Sequence, residues 1–163
     1  MMLIRDASES DLPAIVGIYN STIPGRMVTA DTEPVTISDR LLWFKEHKAG
    51  FRPLWVAEDE GRVIAWLSFQ PFYGRPAYHA TAEVSVYVAE DHRNRGIGGE
   101  LLKRAIDHGP GLGIKTLVGF IFAHNGPSLG LFEKLGFEKW GFLPKVAELD
   151  DMDRDLVIVG RRL

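Results

Sequence analysis

The residues best placed to do chemistry lie between Glu90 and Gly99, in the run Glu-Asp-His-Arg-Asn-Arg-Gly-Ile-Gly-Gly. Glycines at 96, 98 and 99 let backbone N–H groups crowd around one point. A helix beginning there adds its unpaired first-turn N–H groups and a partial positive charge. Together these make an anion cradle suited to a pyrophosphate, and Arg93 and Arg95 bring mobile positive charge to it. A P-loop is excluded, because no Gly-Lys-Ser/Thr follows Gly99. A dinucleotide fingerprint would need a third glycine where Leu101 stands, and normally follows an early strand rather than one past mid-chain. A glycine-softened turn with no ligand remains the plain alternative.

Those residues need elements to hold them. Met2–Arg5 reads as a short first strand. Ser10 is placed to cap a helix with Pro13 in its first turn, and Leu12, Ile15, Val16 and Tyr19 recur at helical spacing. Residues 21–35, with two prolines and a glycine, read as a loop long enough to be functional. Thr36 with Asp39 opens a second helix through Leu41, Leu42, Phe44 and Lys45. Leu54–Glu58 and Val63–Gln70 read as a hairpin around Asp59-Glu60-Gly61-Arg62. Thr81–Val88 alternates strictly: Ala82, Val84, Val86 and Val88 face one way, Thr81, Glu83, Ser85 and Tyr87 the other. A helix then runs from about Gly98 to His108, a strand from Lys115 to Phe122, and a short helix from Pro127 to Leu135 with Gly136 at its C′ position. Asp155–Val159 is the expected last strand. Antiparallel strands followed by a strand–helix–strand–helix unit predict a mixed α/β (α+β) sheet with helices on both faces.

Composition narrows the function classes. At 163 residues the chain fits a single domain, 1–163. With no cysteine, disulfides, thiolate catalysis and thiolate metal sites are excluded, and a reducing compartment suits the chain. A net charge of −3 gives no footprint for nucleic acid. The first ten residues lack a signal-peptide core, and no apolar run approaches the roughly 20 residues of a membrane helix. The expectation is a soluble, cytoplasmic protein with neither nucleic-acid nor membrane partners. Asp151–Asp155 begins like an EF-hand loop, but Leu156 stands where the sixth-position glycine belongs, so it reads as a solvated acidic loop. The histidines show no ligand-pair spacing, and no metal is expected.

Arg93-Asn94-Arg95-Gly96-Ile97-Gly98 matches the Arg/Gln-x-x-Gly-x-Gly/Ala signature of the GNAT superfamily, which wraps the coenzyme A pyrophosphate. Asn125-Gly126-Pro127-Ser128 and Leu131-Phe132-Glu133-Lys134-Leu135-Gly136-Phe137 resemble that superfamily's second segment. Within it the chain is similar to the phosphinothricin acetyltransferase branch, through Ile18-Tyr19-Asn20, Thr29-Ala30-Asp31-Thr32-Glu33-Pro34 and Ala82–Val88. The resemblance implies a mostly antiparallel central sheet, acetyl-CoA as co-substrate and a homodimer. It implies transfer of acetyl to the amino group of a small amino acid or analogue, of the phosphinothricin, methionine sulfoximine or methionine sulfone type. Another amine (a polyamine, an aminoglycoside, a protein N-terminus) stays open, as does a non-catalytic acyl-CoA sensor.

The resemblance also distributes roles. Arg93, Asn94, Arg95, Gly96, Ile97, Gly98 and Gly99 would hold the pyrophosphate. The backbone of Val86, Tyr87 and Val88 would pair with the pantetheine arm, one N–H polarising the thioester carbonyl. Asn125 and Ser128 would meet the arm near its sulfur, although a helix cap accounts for them equally. Glu83 matches the branch's acidic position and becomes the candidate general base, contacting substrate; alone, a strand glutamate reads as solvated or ion-paired. Phe72–Tyr78 resembles the substrate loop. Arg75 can grip a carboxylate there and Tyr78 can wall the pocket, against the plain reading of a surface arginine and a packed tyrosine. The Thr29–Pro34 loop is expected to cover the site from the other side. Two positions depart from the pattern. Phe132 replaces a tyrosine that often serves as acid, so no obligatory side-chain acid is expected, with Ser128 or water as proton source. Asp150-Asp151-Met152-Asp153 stands where several branch members have a histidine and a tryptophan, which removes any substrate contact those residues make.

Overall fold

The computed structural model describes every residue from Met1 to Leu163. Seven strands form one sheet: β1 (Met2–Asp6), β2 (Leu54–Asp59), β3 (Arg62–Pro71), β4 (Thr81–Val88), β5 (Thr116–Phe122), β6 (Glu138–Leu149) and β7 (Met152–Arg162). Their spatial order is β1-β2-β3-β4-β5-β7-β6. Every neighbouring pair is antiparallel except β4 and β5. Four helices, α1 (Leu12–Ser21), α2 (Ile37–Glu46), α3 (Ile97–His108) and α4 (Gly126–Lys134), cover the sheet. No helix is long and apolar enough to cross a membrane.

The alternation of β4 sorts the core into two layers. Val84 packs with Ile97, Leu101, Leu102 and Phe132, joining the sheet to α3 and α4. Tyr87, facing the other way, packs with Ile15, Tyr19 and Trp66, joining it to α1. Trp66 stacks on Tyr87 at 4.5 Å, and its indole N–H donates to the Ile15 carbonyl at 3.1 Å. Burying the Trp N–H with a partner avoids the cost of a lone buried donor.

Two local signals were stronger than their residues advertised. Thr36 and Asp39 form a reciprocal cap, with Asp39 N–H donating to Thr36 Oγ1 at 3.0 Å and Thr36 N–H to Asp39 Oδ2 at 2.9 Å. Glu60 and Gly61, at φ 49° and 78°, make the two-residue turn that joins β2 to β3.

Three expectations need correction. Ser10 does not cap α1. It lies in a short 3₁₀ turn, Glu9–Asp11, where Ser8 N–H donates to the Asp11 carboxylate at 2.8 Å. Asp11 also takes two bonds from Arg5, at 2.7 and 2.9 Å, so the charged pair fixes the entry and α1 starts after it. β6 was not foreseen. Its pairing with β7 shifts register at Lys139/Gly141 and Leu143/Ala147, so the two-residue period that marks a strand is broken twice. The acidic stretch is not a loop: only Asp150 and Asp151, at φ 52° and 63°, make the turn, and Met152–Arg162 is strand, longer at both ends than Asp155–Val159. Asp tolerates this left-handed conformation better than most side chains.

Candidate active site

β4 is held on both edges only at its beginning. Against β3 it pairs throughout, from Pro71↔Ala82 to Ala65↔Val88. Against β5 it pairs only from Thr81↔Thr116 to Glu83↔Val118. Beyond Glu83 the two strands part, because each follows its outer partner: β5 stays paired with β7 as far as Phe122↔Leu156. The backbone of a strand aims alternate residues at alternate edges. Ala80 C=O accepts from Lys115 and Thr116 N–H on the β5 side, at 2.8 and 3.2 Å, while Ala89 N–H donates to Ile64 C=O on the β3 side, at 2.8 Å. The even-numbered residues therefore aim at β5, which offers Val86 and Val88 no partner. Arg93 Nε reaches in to donate to Val88 C=O at 3.3 Å. The resulting cleft holds about 390 Å³, counting its open mouth, between Val86 and Tyr87 on one arm and Phe120 and Ile121 on the other. Asn125, Ser128 and Phe132 of the α4 region close one side and Val28 the other.

At the far end of β4 the glycine run forms the start of α3. Asn94 and Gly96 take φ of 63° and 78°, and Gly96 is the N-cap. The first helical bond is Glu100 N–H to Gly96 C=O at 3.1 Å, which leaves the N–H groups of Ile97, Gly98 and Gly99 unspent within the helix, and no side chain caps them. Ile97 is buried and anchors the turn, while Arg93, Asn94 and Arg95 are exposed around it. A Cβ on Gly98 would meet Leu131, Val88 and Val86 at 3.5–3.7 Å, ordinary contact, so the position admits glycine or alanine and little more. Upstream, Arg62 and then His92 hold the Asp91 carboxyl down at a pKa of about 2, tying the turn to β3. Three free N–H groups, a helix terminus and two arginines suit a doubly charged phosphate group.

Glu83 sits at the vertex where the arms part, opposite Gln70 on β3 and Val118 on β5. It is half-buried and carries no ion pair. Burial pushes its carboxyl above the usual carboxylate range, and a hydrogen bond with Ser85 partly opposes the shift. Such a carboxylate is a better base than a solvated one. The Phe72–Ala80 loop enters β4 just before it. Tyr78 in that loop is 44% exposed and meets Phe72 edge-on at 5.6 Å, with Tyr73 beside them, 4.4 Å from Phe72 and 6.3 Å from Tyr78. Arg75 is exposed; its carbonyl accepts from Tyr78 N–H at 2.9 Å, while its guanidinium makes no hydrogen bond or ion pair within the chain. Arg75 lies in the lead-in to β4, and Glu83 is the third residue of that strand.

The loop between α1 and α2 is pinned across the cleft. Asn20 exchanges two bonds with the Val35 backbone, both 2.9 Å. Tyr19 Oη lies 2.5 Å from Thr29 Oγ1 and donates to the Asp31 carboxylate, which also takes a bond from Arg40 at 3.1 Å. Arg40 lies over the Tyr19 ring at 4.6 Å. Arg26 anchors the loop's outer part: its Nε donates to Asp150 at 2.9 Å, and its carbonyl accepts from His124 Nε2 at 2.8 Å. The residues flagged as branch-like, Tyr19-Asn20 and Thr29–Pro34, thus hold a cover whose Val28 faces the cleft. The sequence placed Tyr19 on the apolar stripe of α1 and in the branch-like run Ile18-Tyr19-Asn20 without a role in the site, and gave no sign of Val28, Phe120 or Ile121. The Tyr19 hydroxyl, a polar tip on an apolar stripe, was the one available signal.

Both departures take defined places. Phe132 is buried against Gly119 and Phe137 and lines the cleft with no proton to give. Asn125 is buried and its Oδ1 accepts from Ser128 N–H at 3.2 Å, so it does cap α4 while facing the cleft. Asp150, at the turn between β6 and β7, accepts from Arg26 Nε at 2.9 Å.

Residues 15–137 match the acetyltransferase (GNAT) family. The chain is 58% identical over 163 residues to the Bacillus subtilis (strain 168) protein named "Putative phosphinothricin acetyltransferase YwnH", covering 99% of each. It is 36% identical over 149 residues to the L-methionine sulfoximine/L-methionine sulfone acetyltransferase of Pseudomonas aeruginosa PAO1, covering 89% of this chain and 85% of that one. A crystal structure of a phosphinothricin acetyltransferase from Sinorhizobium meliloti in complex with acetyl-CoA superposes with a TM-score of 0.93 at 28% identity, covering 99% of this chain and 88% of that one. The chain belongs to the GNAT family and is an N-acetyltransferase of the phosphinothricin and methionine sulfoximine branch.

Proposed function

We propose that this acetyltransferase moves an acetyl group from acetyl-CoA to the amino group of a small amino acid or analogue, of the phosphinothricin, methionine sulfoximine or methionine sulfone type. One observation carries the reading: a half-buried, unpaired Glu83 stands at the vertex of a cleft whose other end is an anion cradle. The Arg93–Gly99 turn holds the pyrophosphate, and the free edge of Val86–Val88 receives the pantetheine arm as an added strand would. Asn125 and Ser128 flank the thioester end. Glu83, directly or through a water, takes a proton from the ammonium form of the substrate. The freed nitrogen attacks the thioester carbonyl, and a β4 N–H meets the negative charge that develops on its oxygen. The C–S bond breaks as the nitrogen gives up its second proton to Ser128 or water, which passes a proton to the departing thiolate, whose ordinary pKa near 8.5 lets it leave without a strong acid. Arg75 holds the substrate carboxylate and Tyr78 lines the space beside it. An α-amine, with a pKa near 8, suits this base better than a lysine-like amine near 10.4.

A homodimer belongs to the same reading. Its support is the free edge of the sheet, where β6 exposes Trp140, Phe142, Leu143 and Val146 along a strand with no outer partner. Sedimentation at micromolar concentration tests it, and a monomeric mass removes it.

The direct test is thiol release from acetyl-CoA across a panel of amines, with wild type and Glu83→Gln side by side. Turnover on an amino-acid analogue, lost in the variant while acetyl-CoA still binds, is the expected result. Acetyl-CoA binding with no turnover on any amine would favour a sensor instead.

A further inference from the structure

Arg52 is the most deeply buried charged side chain in the protein, 2% exposed. It has no carboxylate partner. A buried cation without a counter-charge is costly, and burial alone pulls its pKa down. A neutral side chain of similar volume would fill the space at lower cost, so the guanidinium must be read through its contacts.

Those contacts are backbone carbonyls from three segments. A tight turn delivers the side chain, with Lys48 N–H donating to Arg52 C=O at 3.1 Å and Phe51 N–H to Lys48 C=O at 3.0 Å. Nη1 then donates to Phe51 C=O at 2.7 Å and to Leu112 C=O at 3.1 Å, and Nη2 donates to His79 C=O. The Phe51 ring lies 4.1 Å from the guanidinium carbon, and Nε is buried without a partner. His79 closes the turn Pro76–Tyr78, and the next residue, Ala80, accepts the two N–H groups that start the β4–β5 pairing. Leu112 ends the turn that leads into β5. One planar fork therefore fastens the entrances of both arms of the cleft. A lysine cannot copy this, since it offers a point charge on a flexible stem.

We propose that Arg52 is a positioning residue for the amine side of the site: its guanidinium sets the loop bearing Arg75 and Tyr78 against the vertex bearing Glu83. The role rests on the amine-side reading of that loop. It does not extend to the cradle, which lies at the other end of β4.

Arg52→Lys and Arg52→Ala test it by three readouts: KM for the amine, Kd for acetyl-CoA, and amide hydrogen exchange along the chain. In Arg52→Lys the amine KM should rise roughly tenfold, the loss of about one charge-assisted hydrogen bond, while acetyl-CoA affinity is unchanged. Exchange should quicken in residues 76–80 and 110–115 and stay at the wild-type rate in 93–99. Added methylguanidine should partly restore the amine KM of Arg52→Ala; if that variant does not fold, Arg52→Lys decides. A rise in both constants alike, or unchanged exchange in 76–80, overturns the proposal. If wild type turns over no amine, the proposed function fails, and exchange alone then decides for or against the clamp.

Discussion

On the cradle side of the cleft, the consecutive residues Arg93–Gly99 present backbone N–H groups and the end of one helix. On the side proposed to take the amine, Tyr19, Val28, Asp31, Arg75 and Glu83 arrive from separate segments and would act through their side chains. The turn needs little more than Gly96 and Asn94 at positive φ and an anchor such as Ile97. The amine side needs each loop to be fastened: Asn20 to Val35, Arg26 to Asp150, Arg52 to His79. A backbone site should tolerate side-chain change and resist changes of conformation. A side-chain site should show the opposite sensitivity.

The sharpest division is expected from Glu83→Gln. Its kcat should fall roughly 10²–10⁴-fold, the usual worth of a general base, while calorimetric acetyl-CoA affinity stays as in wild type. The pH profile gives the same residue a second signature. Because burial raises its pKa, the acid limb of kcat/KM should lie above the roughly 4.3 of a free glutamate and vanish in the variant. The fold favours the protonated form, so the Glu83 contribution to stability is full below the ordinary value and is lost as pH rises through the raised one. Glu83→Gln should therefore be more resistant to urea than wild type at pH 7; equal or lower resistance would mean the carboxylate has a stabilising partner in the fold.

Next in size is Arg75→Ala. Loss of a paired carboxylate contact should raise KM for an amino-acid analogue roughly ten- to hundredfold and leave acetyl-CoA binding alone. An amine lacking a carboxylate should be indifferent to the change, and if it is not, Arg75 acts through the loop rather than on the substrate. Gly96→Ala probes the other side. A non-glycine residue at φ 78° costs about 1–2 kcal/mol, so acetyl-CoA should bind roughly tenfold more weakly with no selective effect on the amine. Gly98→Ala should be nearly silent in the same titration, since its methyl finds only ordinary contacts. Smallest is Asp150→Asn. The Arg26–Asp150 pair is exposed and worth at most about 1 kcal/mol, so amine KM should change less than about fivefold, and added salt should erase the difference.

How legible each side was follows from the same contrast. The turn before α3 could be read off consecutive residues, because a glycine at positive φ and a helix start are set by neighbours a few residues apart. The Thr81–Val88 alternation placed Glu83 correctly on the polar face, away from the valines that pack on α3. The loop cover was only partly readable: Thr29–Pro34 was expected over the site, and the Tyr19 hydroxyl hinted at a polar partner, but that the partner is Asp31, 12 residues on, and that Arg26 reaches Asp150, 124 residues on, no local rule could tell. β6 was lost because two register shifts hid its period.

The sequence by itself determined several local conformations: the positive φ of Gly96, the Thr36 cap of α2, the alternation of β4 and the glycine turn that opens α3. These depend on neighbours within a few residues, where sterics and hydrogen bonding fix the outcome. Only the tertiary structure decided that β4 and β5 would pair for three residues and then part. That split accompanies the full pairing of β4 with β3 and of β5 with β7, contacts made between segments that no local rule relates.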